Sequence, residues 1–149
     1  MERKRVDASK TISGTHGMVW WNGEACYEIV SFEAKLKPNR ETIQQAEEMG
    51  EDTKLMGYSG TWSAKLRKLH SRSADIAEAI KAGKDVRVNL TSKIADPDNG
   101  GTERIQLSSC WFDEVTLQSF ETGKLVEDDY SGGFKDFNYL DRISDPCLD

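Results

Sequence analysis

The chain has 149 residues and a net charge of −6, with 37% hydrophobic and 31% charged side chains. That length suits one domain with a real core and a charged surface. The acidic balance excludes a protein that grips nucleic acid by neutralising phosphates, although like charge lets nucleic acid pass without sticking.

The opening Met-Glu-Arg-Lys-Arg is basic, but no apolar run follows it. Neither a signal peptide nor a transmembrane helix or membrane anchor is expected. Residues 1–14 read as a polar lead-in, mobile until something binds it. Met18 to Trp21 form a short apolar run, and Asn22-Gly23 behind it suits a two-residue type I′ turn. Trp20 and Trp21 are adjacent, so in a strand they point to opposite faces.

Val30, Phe32, Ala34 and Leu36 then alternate with polar residues, which predicts a strand with one buried face. The segment 38–53 breaks the pattern. It carries Arg40, Glu41, Ile43, Glu47, Glu48, Met49, Glu51 and Asp52, with few apolar residues and only the spacing of Ile43, Ala46 and Met49 to suggest a helical turn. A loop this long inside one domain is functional or disordered. Two readings stand: a solvated excursion, or an arm that orders against a neighbouring copy.

Trp62, Ala64 and Leu66 alternate again, predicting a third strand. Ser71 or Ser73 can cap a helix with the core face Ile76, Ala77 and Ile80, ended by Gly83. Its apolar stripe is narrow, so it should cover one opening of the sheet. Residues 86–120 predict an antiparallel hairpin: Val86, Val88 and Leu90, a turn at 96–101, then Ile105, Leu107, Trp111, Val115 and Leu117. Leu125 to Asp141 reads as a last strand interrupted at Ser131-Gly132-Gly133. The fold class is mostly β with one helix, an antiparallel sandwich or small barrel in a single domain.

Catalytic vocabulary is sparse. His16 and His70 are the only histidines, and no Gly-x-Ser-x-Gly elbow exists. Asp96-Pro97-Asp98-Asn99-Gly100 opens like a calcium loop, but its fifth position is Gly100 and its twelfth is Leu107 instead of a bidentate Glu. A turn with local side-chain bonds explains it better. Cys26, Cys110 and Cys147 have no close spacing, which fits reduced thiols and no zinc site. No enzyme, metal or cofactor is expected. Trp20, Trp21, Trp62 and Trp111 could stack bases, but the surrounding charge has the wrong sign for that.

The segments in order are similar to a known family. Thr11-Ile12-Ser13-Gly14, Gly17, Asn22-Gly23, Phe32-Glu33-Ala34, Gly60-Thr61-Trp62, the run Gly101 to Leu107 and Phe134-Lys135-Asp136-Phe137 together resemble the tail tube proteins of PBSX-type defective prophages and related contractile-tailed phages. The resemblance spans almost the whole chain. It implies a sandwich or small barrel with one flanking helix, six copies to a ring, and rings stacked into a hollow tube inside a sheath. It also implies that segment 38–53 is the loop reaching a neighbouring ring, and that the lead-in and the tail 142–149 touch other subunits.

The partners so implied are further copies of the chain, the sheath, initiator or baseplate and terminator proteins, and DNA that passes without tight binding. The place implied is the tail of a virion or phage-tail-like particle assembled in the bacterial cytoplasm. Family members serve both DNA-passing phages and headless bacteriocins, and the resemblance does not choose between them. On the hairpin, Val88, Leu90 and Leu107 should pack the core, leaving Arg87, Asn89, Gln106 and Ser108 as candidates to line the lumen. The competing expectation is a monomeric β-sandwich module that binds a ligand through outward tryptophans.

Overall fold

The structure is a computed structural model that describes residues 2–148. Among them, eight strands and one α-helix follow in the order β1 (Gly17–Trp21), β2 (Glu24–Ala25), β3 (Ile29–Ile43), β4 (Asp52–Arg67), α1 (Arg72–Lys81), β5 (Arg87–Ile94), β6 (Glu103–Val115), β7 (Glu127–Phe134) and β8 (Asp136–Asp141). All pairings are antiparallel, in the order β2-β1-β5-β6-β7-β4-β3. β6 carries an extra partner. Its first half pairs β8 through Leu107↔Phe137, and its second half pairs β7 through Trp111↔Gly133.

The core lies on one face of this sheet. Trp21, Trp62, Leu66, Val88, Leu90, Leu107, Cys110, Tyr130 and Phe134 form a single buried cluster, with Ile76 of α1 as its lid. Trp62 and Phe112 meet edge to face at 5.4 Å, and Trp21 meets Tyr130 at 5.4 Å in the same manner. Such aromatic pairs contribute about 0.5–1.5 kcal/mol each beyond their buried area. The Trp62 indole Nε1–H donates to the carbonyl oxygens of Gly133 at 3.1 Å and Trp111 at 3.2 Å. The largest core side chain is thereby satisfied as well as buried.

Most local expectations hold. Asn22 and Gly23 both have positive φ, as a type I′ turn requires, and join β1 to β2. In the 96–101 turn, Asp98 N–H donates to Asp96 Oδ1 and Gly101 N–H to Asn99 Oδ1, the local bonds expected of an Asp/Asn turn. Gly83, at φ +87°, ends the helix. The Ser71 side chain makes no capping bond, and Ile80 is exposed. The helix is instead fixed from outside its own turn. Arg72 lies 5.2 Å over the Trp21 ring and 2.6 Å from Glu28 Oε1.

Several expectations need correction. Segment 38–53 is mainly paired strand. Arg40, Glu41 and Ile43 end β3 and Asp52 opens β4, leaving Glu47, Glu48, Met49 and Glu51 in the short connection between them. No helical turn forms there; Glu48 N–H bonds Gln45 O and Glu47 takes φ +67°. The hydrophobic alternation vanished because this ribbon has no core side to mark. The proposed buried face of β3 fails for the same reason. A register shift between Ile29 and Ser31 turns Val30 outward, Phe32 is half-buried, and Ala34 and Leu36 lie in solvent.

Ser131-Gly132-Gly133 does not interrupt a strand but lies inside β7, and the break comes at Lys135. The β5–β6 hairpin stops at Val115, so Leu117 is an exposed loop residue. The lead-in is tied to the body. Ser13 N–H donates to Asp96 Oδ2, Lys10 Nζ to Asp98 O, and Asn99 Nδ2 to Lys10 O. Lys4 N–H donates to Cys147 O, so the two terminal segments also meet.

Candidate functional site

The first place to look for chemistry is the histidines. His16 Nε2 lies 3.9 Å from Asp96 Oδ1, and Ser13 is next to both. Ser13 offers its backbone N–H to Asp96 while its hydroxyl bonds Thr15, so this trio lacks the Ser-to-His hydrogen bond of a nucleophile–base pair. Asp96 is 4% exposed, and the N–H groups of Ser13 and Asp98 hold its carboxyl below the usual range. Burial pushes the Cys110 thiol up to about 11 and raises Cys26 as well, the opposite of what a thiolate nucleophile needs. Among the described residues no group of three or more His, Cys, Asp or Glu side chains could hold a metal.

The tryptophans fall into two pairs. Trp21 and Trp62 are buried. Trp20 and Trp111 are half-buried on the opposite face, with Arg104 over Trp20 at 5.9 Å and Arg87 over Trp111 at 5.2 Å. Each outward ring thus already has an arginine of the same chain stacked over it.

The conspicuous feature is the β3–β4 ribbon. From Gly60 on, β4 leaves β7, its partner on one side, and runs with β3 alone to the tip: the last β7 pair is Gly60↔Phe134, while β3 pairing continues to Ile43↔Asp52. Opposed pairs share a face, so Leu36↔Gly60, Pro38↔Tyr58 and Arg40↔Leu55 place Leu36, Tyr58 and Leu55 in one row. The row is wet: Leu55 is 57% exposed, and Met56, in the register shift beside it, is 61% exposed. Met49 at the tip is 98% exposed. Such an apolar stripe on a projecting ribbon is the chain's candidate interaction surface. β3 is also an edge strand over its full length, pairing β4 alone.

The structure therefore brings Arg40, Glu41, Ile43, Glu47, Glu48, Met49, Glu51 and Asp52 together on one arm. Sequence reasoning missed Leu36, Leu55, Met56 and Tyr58, which give the arm its apolar side. The one available signal was the cluster Leu55-Met56 beside Gly57, which sits between the expected loop and the expected strand.

The four hairpin residues Arg87, Asn89, Gln106 and Ser108 flank core residues and lie on the sheet face away from the core. Their roles differ. Asn89 Oδ1 accepts Ser109 N–H while Asn22 Oδ1 accepts Asn89 N–H, a clamp across the register shift where Ser109 takes φ +53°. Arg87 pairs Asp85 at 2.9 Å. Gln106 sits between Thr91 and Asn138, and Ser108 opposite Asp136.

Comparison with known proteins agrees with this geometry. Residues 4–141 match the family model described as "Phage tail tube protein". The chain is 28% identical over 143 residues to the phage-like element PBSX protein XkdM of Bacillus subtilis (strain 168), covering 94% of this chain and 97% of that one. Its fold is similar to the PVC sheath/tube terminator of an extracellular contractile injection system, with a TM-score of 0.71 at 9% identity over 87% of this chain and 96% of that chain. It is similar too to a chain of the PVC sheath-tube complex, with a TM-score of 0.68 at 8% identity over 93% and 100%. The chain belongs to the phage tail tube protein family.

Proposed function

We propose that this protein is the non-catalytic subunit of the inner tube of a contractile tail, assembled as stacked hexameric rings inside a sheath. The observation that carries the reading is the β3–β4 arm, an exposed apolar ribbon that meets the rest of its chain near its base, where Tyr58 packs on Phe137, and leaves Leu55, Met56 and Met49 exposed beyond it. Contacts that close head to tail give rings, and repetition along the axis gives tubes. Edges on β2, β3 and β8, each paired on one side alone, suit a subunit whose sheet is completed by neighbours.

In this reading the arm residues Arg40 to Asp52 contact other subunits, and the lead-in 1–14 and tail 142–149 contribute further contacts. Arg87, Asn89, Gln106 and Ser108 face the lumen, where a net-negative subunit lets DNA slide by. The sheath, an initiator or baseplate protein and a terminator are the other partners. The tube is built in the bacterial cytoplasm and works in a virion tail or phage-tail-like particle.

Negative-stain microscopy of the purified protein at high concentration tests this directly. Rings and tubes of uniform diameter are the expected result. Monomers at every concentration, with tubes absent even when the sheath protein is co-expressed, would overturn it.

A further inference from the structure

We infer that Lys93 and Arg104 form a binding site for a phosphate group on the sheet face away from the core. The site is complete within one chain. Only the source of the phosphate, DNA in a lumen or free phosphate, rests on the proposed tube. The registers set Met18, Lys93, Arg104 and Asp141 in one row across β1, β5, β6 and β8, two cations against one carboxylate. Lys93 and Arg104 are direct cross-strand neighbours of like charge, both half-buried. Such a pair is destabilising unless something offsets it.

Among the described residues little does. Asp141 Oδ2 stays 3.8 Å from Arg104 Nε, and that nitrogen is shielded from solvent with no hydrogen-bond partner. The Lys93 ammonium makes neither an ion pair nor a hydrogen bond there. Arg104 is also held in place before any ligand arrives. Its guanidinium lies 5.9 Å over the Trp20 ring. Trp20 is on β1 and Arg104 on β6, so the arginine leans across β5, the strand from which Lys93 rises.

The adjoining row supplies neutral donors. Trp20, Thr91, Gln106 and Asn138 follow one another across the same four strands, and none is charged. They offer an indole N–H, a hydroxyl and two carboxamides, and these side chains make no hydrogen bond among the described residues. An oxyanion would accept charge-assisted bonds from both cations and remove their repulsion. Arginine presents a fork to two oxygens and lysine a point charge. Two cations with several neutral donors beside them outnumber the two oxygens of a carboxylate and suit a tetrahedral phosphate. The net charge of −6 on the whole chain opposes a lasting grip, so the contact is one that is made and broken.

The test is nuclear magnetic resonance of the full-length protein, kept below the concentration at which it assembles, titrated with inorganic phosphate and with a short DNA duplex. Phosphate should shift the Lys93 and Arg104 amides and the Trp20 indole N–H. Lys93→Gln and Arg104→Gln should each weaken binding by about tenfold or more. Without phosphate, Lys93→Gln should melt no lower than the parent, because it removes the repulsion. Phosphate should raise the melting temperature of the parent and leave that of Lys93→Gln unchanged. A duplex that shifts the same resonances, more weakly as salt is added, assigns the phosphate to a nucleic-acid backbone. Shifts with phosphate but not with the duplex assign it to the free anion. If neither ligand moves these resonances, the site is overturned and the tube is untouched. Phosphate binding in a protein that never forms tubes overturns the tube and leaves the site standing.

Discussion

The ring of Phe134 lies flat against the backbone of Gly60. A Cβ placed on Gly60 would sit 2.3 Å from two of that ring's carbons. This contact marks the last rung where β4 is paired to β7 and the first residue of the free arm. It anchors the arm to the core. Gly60→Ala should push Phe134 out of place and cost about 1–3 kcal/mol, as overpacked cores do. Urea melts of the monomeric chain measure this. Gly132→Ala should be worse, because its Cβ would meet the Trp111 carbonyl oxygen, which is backbone and cannot rotate away.

The Arg72–Glu28 pair is mostly buried, with 17% and 10% of the two side chains exposed. Arg72 also stacks on Trp21. Removing one partner strands the other charge, so Glu28→Ala should destabilise by about 3 kcal/mol. Combining Glu28→Met with Arg72→Met should recover most of that loss, since neither position then holds an unpaired charge. A double-mutant cycle in thermal melts separates the outcomes, and additive losses would refute the coupling.

Asp96 gives the lead-in a pH dependence. Its folded-state pKa is depressed, first by the Ser13 N–H bond and then by Asp98, with His16 adding attraction. A depressed carboxyl contributes stability above its ordinary pKa, and the contribution is lost as pH falls through the lower folded value. The Ser13 amide should thus be protected from hydrogen exchange near neutrality and lose protection in acid, below pH 3.8. Asp96→Asn should show the acid behaviour at all pH values. An amide equally protected in both proteins would reject the idea.

The arm projects as a two-stranded ribbon, which is marginal without a third partner. In the monomer it should be the first site of proteolysis, with trypsin cutting after Arg40 or Lys54 while the core stays intact. Inside an assembled tube the same bonds should resist. Equal cleavage in both states would show that the arm stays uncovered.

How far the residues announced all this depends on the surroundings of each. Val88, Leu90, Trp62 and Leu66 sit where one side is core and the other solvent, so alternation reported them correctly. Phe134 and Gly60 were noticed as separate motif pieces; that they touch is a tertiary fact that no local pattern encodes. On the arm, both faces are wet in the single chain, so Glu41, Ile43 and Leu55 carry no alternation and the strands there read as a loop. The apolar row Leu36–Tyr58–Leu55 becomes legible only after the register of β3 on β4 is known. Asn89 looked like an ordinary polar-face residue because the register shift that recruits its side chain is invisible in one strand alone.

The register of the sheet also sets an order of events. Ile43 meets Asp52 across a short tip, and the rungs from there to Phe32↔Ala64 close one after another like a zip. Gly17 cannot find Ile94 until most of the chain has been made. Loop-closure entropy therefore favours the arm's ladder as the earliest long structure, with the distant pairings of β1 with β5 and of β4 with β7 coming later. During synthesis, the element that projects most for assembly is also the one that can form first, before the body that will carry it has a core.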